Sequence, residues 1–284
     1  MSTDRVWLIT GTSTGFGRQL AELVLQKGEK VVATARRPSV LDDLVSKYPS
    51  NRLLVLKVDV NVPQDIIDAF AATKDKFGRL DVVLNNAAYV VMGELEAVPE
   101  EEARKLFDTN FWGAMCVSRE AVKFFREVNA PGVGGRLLQN SSLTGITGLA
   151  GVTYYAASKH ALEGASKCLA AELDPAWNIK VTIIEPGSFH TEGQAKTIWV
   201  PVHPAYSNPE LPASRLRNGW GAYSGTGDVK KAVEAIYKIA FLPEPPLHFL
   251  LGEDAIMYAR KQWADVAADT DKYESWSKGL EKDS

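Results

Sequence analysis

The sequence predicts an α/β protein with a doubly wound parallel sheet of about seven strands, helices on both faces of the sheet and one inserted lid. Short apolar runs alternate with helix-like stretches along almost the whole chain of 284 residues. This alternation favours right-handed βαβ units, which bury a parallel sheet between two helical layers. The first run, Val6–Ile9, leads through a glycine-rich loop into a helix-like stretch, Gln19–Lys27.

Each predicted strand is a short apolar run bounded by polar or turn-forming residues. The predicted strands are Val6–Ile9, Lys30–Ala35, Leu53–Val58, Leu80–Leu84, Gly135–Gln139, Ile179–Ile184 and Leu247–Leu251. The predicted helices are Gln19–Lys27, Val40–Lys47, Pro63–Phe77, Pro99–Glu127 and Val152–Leu173. The third of these begins with Pro63 and is followed by Gly78, which are the residues preferred at the two ends of a helix.

The alternation breaks once, between Ser188 and Gly227. This segment contains four prolines and shows no sustained periodicity. Irregular insertions of this length are usually lids, binding loops or disordered segments. We therefore predict one domain over residues 1–284, with a lid at about 188–227 and a polar C-terminal tail at about 268–284.

The composition excludes several classes of protein. A hydrophobic content of 45% and a net charge of −3 do not suggest a surface for nucleic acid or anionic membranes. No apolar stretch approaches the roughly 18 residues of a membrane span. The four histidines lack paired ligand spacing, so no metal site is predicted.

The two cysteines predict a reducing environment. Cys116 and Cys168 lie in apolar, helix-like patterns, which is typical of buried thiols. Residues 2–5 lead directly into the first strand and leave no room for a signal peptide. A cytoplasmic location is therefore expected.

The loop Thr10–Gly17 follows the first strand and reads T-G-T-S-T-G-F-G. A loop between a strand and a helix aims backbone N–H groups at a phosphate. Gly11 permits a tight turn, while Gly15 and Gly17 allow close approach of a pyrophosphate and close helix packing. The alternative is a purely structural turn, since the spacing differs from the general G-x-G-x-x-G fingerprint.

Open α/β sheets bind ligands beyond the carboxyl ends of their strands. The second strand delivers Arg36 and Arg37 there, without a carboxylate, which favours the 2′-phosphate of NADP(H). A solvated basic turn is the alternative. The third strand delivers Asp59 and Val60, with Asp59 placed to accept from an adenine amino group or simply to cap a turn. The fourth ends in Asn85–Ala88, whose small residues let the backbone pass close to a cofactor.

Tyr155 and Lys159 stand four residues apart on a predicted helix and therefore share one of its faces. A nearby ammonium group favours the phenolate and lowers the pKa of a tyrosine from its reference near 10. A tyrosine tuned in this way can exchange a proton near neutral pH. Among the nine tyrosines, Tyr155 alone has a lysine four residues later.

Together these residues resemble the short-chain dehydrogenase/reductase family, in its single-domain branch, from about Val6 to Thr191. The family's motifs appear as Thr10–Gly17, Asp59, Asn110, Ser142, Tyr155 with Lys159, and Pro186–Thr191. The family's catalytic serine precedes its tyrosine by 13 residues, which selects Ser142 over Ser141 and excludes Tyr154. One departure is Ala88, which stands where the family usually has glycine.

The resemblance implies a Rossmann-type fold and a division of roles. Tyr155 would be the general acid/base and Ser142 would polarise the substrate carbonyl, while Lys159 would bind the nicotinamide ribose. Asn110 would position a water molecule, and Thr191 would contact the nicotinamide carboxamide. The predicted cofactor-binding residues are Gly11, Thr12, Thr14, Gly15, Phe16, Gly17, Arg36, Asp59, Val60, Asn86, Ala87, Tyr155, Lys159, Pro186, Gly187, Phe189 and Thr191.

The predicted function is NADP(H)-dependent reduction of a bulky hydrophobic ketone or aldehyde, or the reverse oxidation. The second strand and the lid resemble the 17β-hydroxysteroid and retinol dehydrogenase-like group. The lid contains five aromatic residues, Phe189, Trp199, Tyr206, Trp220 and Tyr223. Such rings in a loop predict an apolar pocket, with Ser142, Trp199 and Trp220 as substrate contacts. Alternatively, they pack on the sheet or on a neighbouring subunit.

Two other functions stay open: an NADP(H)-binding regulatory protein without turnover, and an epimerase or dehydratase on the same fold. The resemblance also suggests a homodimer or homotetramer, formed through the helices predicted at 99–127 and 152–173. Steady-state oxidation of NADPH with a panel of ketones separates the functional alternatives.

Overall fold

The computed structural model describes residues 5–189, 191–192, 197–220 and 227–282. The strands are β1 (Val6–Ile9), β2 (Lys30–Ala35), β3 (Leu53–Lys57), β4 (Val82–Asn85), β5 (Val91–Met92), β6 (Gly135–Asn140), β7 (Ile179–Pro186), β8 (Ile198–Trp199) and β9 (His248–Leu251). The α-helices are α1 (Gly15–Gln26), α2 (Asp42–Lys47), α3 (Pro63–Phe77), α4 (Glu100–Phe107), α5 (Ala114–Glu127), α6 (Thr153–Glu172), α7 (Pro212–Gly219), α8 (Val229–Ile239) and α9 (Glu253–Tyr273).

Seven of these strands form one parallel sheet in the order β3-β2-β1-β4-β6-β7-β9. Strand order reverses direction between β1 and β4, which creates a crevice at the carboxyl edge of the sheet. The predicted fold class, a doubly wound parallel sheet of about seven strands, is confirmed. The small strands β5 and β8 pair separately from the main sheet.

Helices cover both faces of the sheet, and they bury β1 on both sides. Trp7 and Ile9 belong to one apolar cluster, together with residues of α1 and α8. Val6 and Leu8 point the opposite way, into a second cluster built with α3 and α5. Successive side chains of a strand point to opposite faces, so a continuous apolar run such as Val6–Ile9 stabilises both layers.

The helix predicted at 99–127 is interrupted. The chain forms α4, then a π-helical turn at Asp108–Gly113, then α5. A side chain at Gly113 would place its Cβ 2.8 Å from the Val60 carbonyl oxygen, so the glycine permits close contact with the loop after β3. Single π-turns are frequent at functional sites, and this one contains Asn110.

The lid segment contains regular structure that the sequence pattern did not predict, namely β8 and α7. Both are too short for a recognisable period. The predicted C-terminal tail also differs, because α9 continues through residue 268 to Tyr273 and a 3₁₀ turn follows at Glu274–Ser277. Residues 283–284 lie outside the described residues.

Two further observations concern the surface. Cys116 is buried as predicted, but Cys168 is exposed, since it lies on the outer face of α6. The prediction that both thiols are buried is therefore wrong for Cys168. None of the described helices combines the length and apolar character needed to cross a membrane.

Candidate active site

A cleft of about 1350 Å³ lies along the carboxyl edge of the sheet. The predicted residues that line it are Gly11, Thr14, Gly15, Phe16, Arg36, Asp59, Val60, Asn86, Ala87, Ser142, Tyr155, Lys159, Pro186, Gly187, Phe189, Thr191 and Trp220. The parallel sheet brings these residues together because each follows, or lies one helix beyond, the carboxyl end of a strand.

The glycine loop, Thr10–Gly17, packs against the segment that follows β4. Gly11 and Gly15 have φ values of 69° and 62°, a backbone conformation that favours glycine. A side chain at Gly17 would place its Cβ 2.6 Å from both the Gly11 carbonyl oxygen and Asn86 Nδ2. Gly17 therefore serves loop packing and is absent from the cleft lining.

Two threonines connect the Thr10–Gly17 loop to neighbouring strands by hydrogen bonds. Thr12 is fully buried, and both its N–H and its hydroxyl donate to the Thr34 carbonyl oxygen at 3.0 Å. It ties the loop to β2 and does not line the cleft, whereas its neighbour Ser13 does. The Thr10 hydroxyl accepts from the N–H groups of Asn86 and Ala87, at 2.8 and 2.9 Å. Sequence reasoning missed this contact, because nothing local links Thr10 to the fourth strand.

A chain of hydrogen bonds connects this loop to the far end of the cleft. Asn86 Nδ2 donates to the carbonyl oxygens of Thr10 and Gly11, at 2.9 and 3.1 Å. Asn140 Nδ2 donates to Asn86 Oδ1 at 2.9 Å, and Lys159 Nζ donates to the Asn140 carbonyl oxygen at 2.8 Å. The ends of β1, β4 and β6 and helix α6 are thus fixed relative to one another.

Basic groups lie at the other end of the cleft. Arg36 and Arg37 are exposed and line it. Among the described residues, neither guanidinium group has a hydrogen bond or ion pair with another side chain. Asp59 also lines the cleft, and its Oδ1 accepts from the Asn61 N–H at 3.0 Å, so it also performs the capping role that was the alternative prediction.

Ser142, Tyr155 and Lys159 meet at the inner end of the cleft. The side chain of Ser142 lies beside the phenol of Tyr155 and favours its ionised form. Ser142 Oγ also accepts from the Thr144 N–H at 3.1 Å, which orients the serine hydroxyl. The Lys159 ammonium group lies 5.7 Å from the centre of the Tyr155 ring, on the same face of α6.

Burial controls the protonation of this group. Desolvation lowers the pKa of Lys159 to about 8, opposed by the nearby charge of Glu163. Desolvation raises the pKa of Tyr155 above its usual value, opposed by the hydrogen bond from Ser142. The sequence predicted that Lys159 would lower the pKa of Tyr155. In the structure the direction is the opposite, because burial of the Tyr155 phenol dominates.

Asn110 lies behind these residues and does not line the cleft. It is almost fully buried. Its amide exchanges two hydrogen bonds with the Tyr89 backbone, at 3.0 and 3.1 Å, and Nδ2 donates to Ser158 Oγ at 3.2 Å. The π-helical turn therefore connects the segment after β4 to α6.

The segment after β7 closes the inner end of the cleft. Asp254, at the start of α9, accepts from the Ser188 N–H at 2.7 Å, and a side chain at Gly187 would collide with its carboxylate. The Phe189 ring packs edge-on against Phe16, with 5.2 Å between centroids. Sequence reasoning missed Asp254, since it lies 66 residues beyond its partner. His190, within the Pro186–Thr191 motif, lies outside the described residues.

The two tryptophans predicted to contact substrate pack edge-on against each other, with 6.4 Å between ring centroids. Trp220 lines the cleft, but Trp199 is 43% exposed and is not among the lining residues. The correction follows from strand geometry: adjacent residues of β8 point to opposite sides, and Ile198 is the one that faces the cleft. Tyr206 also lies off the cleft, and Tyr223 falls outside the described residues. Residues of this pocket that the sequence did not indicate are Leu149, Thr197, Ile198, Pro212, Arg215, Leu216 and Tyr258.

The fold and the position of the cleft define a Rossmann-type α/β protein. The sequence matches the short chain dehydrogenase family over residues 5–198. An uncharacterized oxidoreductase of Schizosaccharomyces pombe is 38% identical over 285 residues, covering 99% of this chain and 94% of the relative. The chain therefore belongs to the short-chain dehydrogenase family, whose members are oxidoreductases that use a nicotinamide cofactor, and the predicted family is confirmed.

Solved structures agree with this assignment. A short-chain dehydrogenase from Streptomyces avermitilis is 34% identical, with a TM-score of 0.89, over 99% of this chain and all of that one. Two more distant members share the fold. One, from Burkholderia cenocepacia in complex with NADP, is 23% identical (TM-score 0.72, covering 96% and 98% of the two chains). The other, from Burkholderia phymatum in complex with NAD, is 20% identical (TM-score 0.77, covering 94% and 95%).

We expect Gly17→Ala to weaken cofactor binding about 5- to 100-fold, because the new methyl group displaces Asn86 from Gly11 at a cost of about 1–3 kcal/mol. Titration of NADPH and NADH fluorescence measures the change in Kd. Gly164→Ala is the matched control, since a Cβ at Gly164 meets no atom within 4 Å. Wild-type affinity in Gly17→Ala would contradict the role given to this loop.

Proposed function

We propose that this protein is an NADPH-dependent reductase of bulky, hydrophobic ketones or aldehydes, or catalyses the reverse oxidation. The observation that carries the proposal is the group formed by Ser142, Tyr155 and Lys159 at the inner end of a cleft whose outer end carries Arg36. A glycine cradle lies between the two ends. Such a cleft fits a nicotinamide dinucleotide, with its phosphates at the loop and its reactive end beside Tyr155.

The chain's own residues supply a proton and orientation. NADPH, when bound, supplies the hydride. In the reduction, Tyr155 would donate its proton to the carbonyl oxygen, and Ser142 would donate a hydrogen bond to the same oxygen. The Lys159 ammonium, with its pKa of about 8, is protonated at neutral pH and would stabilise the phenolate that remains. Asn110 would hold a water molecule that returns the proton to Lys159.

Arg36 supports the preference for NADPH. It follows β2 directly, it has no hydrogen-bonding or ion-pair partner among the described residues, and it lines the cleft together with Arg37. A guanidinium group binds phosphate through charge-assisted hydrogen bonds. NADH lacks the 2′-phosphate that such a group would bind.

We expect kcat/KM to be about 10- to 100-fold higher with NADPH than with NADH, since one charge-assisted hydrogen bond contributes about 1.5–3 kcal/mol. Arg36→Ser should remove most of this preference. Arg37→Ser, at the neighbouring position, tests whether the second arginine shares the role. Equal kcat/KM values for the two cofactors in the wild type would refute the assignment.

Tyr155→Phe should lower kcat at least about 100-fold while the Kd for NADPH changes less than about twofold, because its hydroxyl serves proton transfer. Lys159→Ala should damage both quantities, because the lysine serves the proton and the ribose. Tyr154→Phe is the control, one residue out of register. Steady-state assays of NADPH oxidation measure kcat, and fluorescence titration measures the Kd for NADPH. Loss of activity in Tyr154→Phe alone would show that the register is wrong.

Apolar groups dominate the inner pocket beneath the lid and support a hydrophobic substrate. Leu149, Ile198, Leu216 and Trp220 line it. Arg215 also lies there, with its guanidinium paired to Glu210. Burial of apolar surface contributes about 25 cal/mol per Å², so larger hydrophobic carbonyl compounds should bind more tightly than compact polar ones.

We expect Leu216→Ala and Trp220→Ala to raise KM for polycyclic or long-chain ketones about tenfold and to leave KM for small ketones nearly unchanged. Trp276→Ala is the control, since this indole is 77% exposed and does not line the cleft. Steady-state kinetics over a size series of ketones provides the comparison. A panel in which compact polar carbonyl compounds are preferred would refute the proposed substrate class.

Homo-oligomerisation through the helical region at 99–127 and 152–173 and a cytoplasmic location also stay predictions. Size-exclusion chromatography with light scattering tests the first of these, and a monomer at micromolar concentration would contradict it.

A further inference from the structure

Three titratable side chains that the proposed mechanism does not use meet behind the catalytic residues. Glu163 lies on α6, Glu185 on β7 and His248 on β9. Glu163 and Glu185 are 1% and 0% exposed, and one ligand-type atom of each of the three residues lies within 4.8 Å of the others. The sequence did not indicate this cluster, because its members come from three separate elements.

One oxygen of each carboxyl group is bonded and the other is not. Glu163 Oε1 accepts from Ser141 Oγ at 2.7 Å, and Glu185 Oε1 lies 2.5 Å from His248 Nδ1. Glu163 Oε2 and Glu185 Oε2 are buried without a hydrogen-bond partner. The nearest cation to Glu163 Oε2 is the half-exposed Lys167, 3.9 Å away. Burial without a partner is costly for a charged oxygen.

A shared proton accounts for these contacts. Desolvation raises the pKa of Glu163 and of Glu185 to about 7. Desolvation lowers the pKa of His248, so its imidazole is neutral at pH 7 and does not compensate a carboxylate. The direct contact between His248 and Glu185 leaves no room for a metal ion between those two atoms. Two neighbouring buried carboxyl groups therefore retain a proton that belongs to the pair.

We propose that Glu163 is a positioning residue for proton transfer, and that Glu185, with His248, governs whether Glu163 carries a charge. The inference rests on the proposed function, because Glu163 acts through Ser142 and Lys159.

The first route of action is mechanical. Ser141 directly precedes Ser142, and its N–H donates to the Ile184 carbonyl oxygen at 2.8 Å while its hydroxyl donates to Glu163. Gly145, in the 3₁₀ turn that follows Ser142, has no side chain, and a Cβ there would collide with the Glu163 carboxyl group. The carboxyl group thus supports the turn that presents Ser142.

The second route is electrostatic. Glu163 lies one helical turn after Lys159 on α6, and its negative charge raises the pKa of Lys159 against the effect of burial. The charged or titratable groups that face Glu163 are Lys159 and Lys167 from α6, Glu185 from β7 and His248 from β9. Because the proton of the pair decides the charge of Glu163, it also tunes the ammonium group that the reaction uses.

The kinetic test compares Glu163→Gln, Glu185→Gln and the control Glu172→Gln, an exposed residue at the end of the same helix. Glutamine keeps the oxygen that accepts from Ser141 but removes the charge. In Glu163→Gln, the basic limb of the kcat profile should move to lower pH by about one unit, while KM for NADPH stays within about twofold of the wild type.

Glu185→Gln should leave that limb at or above the wild-type position, since Glu163 then ionises at lower pH. Glu172→Gln should match the wild type. A limb that does not move in Glu163→Gln, or that moves to lower pH in both cluster variants, would overturn the proposal. If Glu163 and Glu185 had only a structural role, both variants would lose activity, and the basic limb would not shift in different directions in the two variants.

Thermal unfolding of the cofactor-free protein tests the shared proton without turnover. A carboxyl group whose pKa is raised on folding stabilises the protein below its unfolded pKa of about 4.5 and loses this contribution as pH rises through about 7. The wild-type Tm should therefore fall between pH 5 and pH 8, and the fall should be shallower in both cluster variants. Equal slopes in all proteins, or stoichiometric metal that is lost in Glu185→Gln, would overturn the shared proton.

The two readouts separate the two proposals. If no carbonyl compound is reduced but the Tm slopes differ as expected, the proposed function fails and the positioning role fails with it, while the carboxyl pair stands. If turnover is normal but the slopes and pH profiles are equal, the inference about Glu163 fails alone.

Discussion

The buried ammonium group of Lys159 is the feature on which the rest of the site depends. It is 2% exposed, and the hydrogen bond that it makes goes to a backbone carbonyl oxygen, that of Asn140. An ammonium group buried in this way is costly unless its surroundings are fixed and polar. The contacts of Asn140 with Asn86, and of Asn110 with Ser158, supply that fixed polar surrounding.

The same constraint explains how the two ends of the cleft are coupled. The hydrogen bonds that run from Gly11 through Asn86 and Asn140 to Lys159 join the Thr10–Gly17 loop to the group formed by Ser142, Tyr155 and Lys159. A shift of the loop would therefore be transmitted to Lys159 through groups that are already paired. Hydrogen bonds that hold side chains in one position keep reacting groups in a productive geometry.

The charges of the site divide into two kinds. Arg36 and Arg37 are exposed and lie where a phosphate can pair with them, so solvent screens them until a ligand binds. Lys159, Glu163 and Glu185 are buried, and a shifted pKa of a buried group couples its protonation to folding. In the lid, Leu216 and Trp220 add apolar surface to the lining of the cleft.

Local patterns in the sequence determined the fold class, the family and the residues at the strand ends. Alternating apolar runs, the Thr10–Gly17 loop and the four-residue spacing of Tyr155 and Lys159 are signals that neighbouring residues carry by themselves. The tertiary structure decided which side chains face the cleft. Thr12 turns away from it toward β2, and Ile198 replaces Trp199 because β8 is too short for its alternation to be read. The carboxyl pair of Glu163 and Glu185 was equally invisible, since contact between α6 and β7, and the loss of water between them, exist only after the chain has folded.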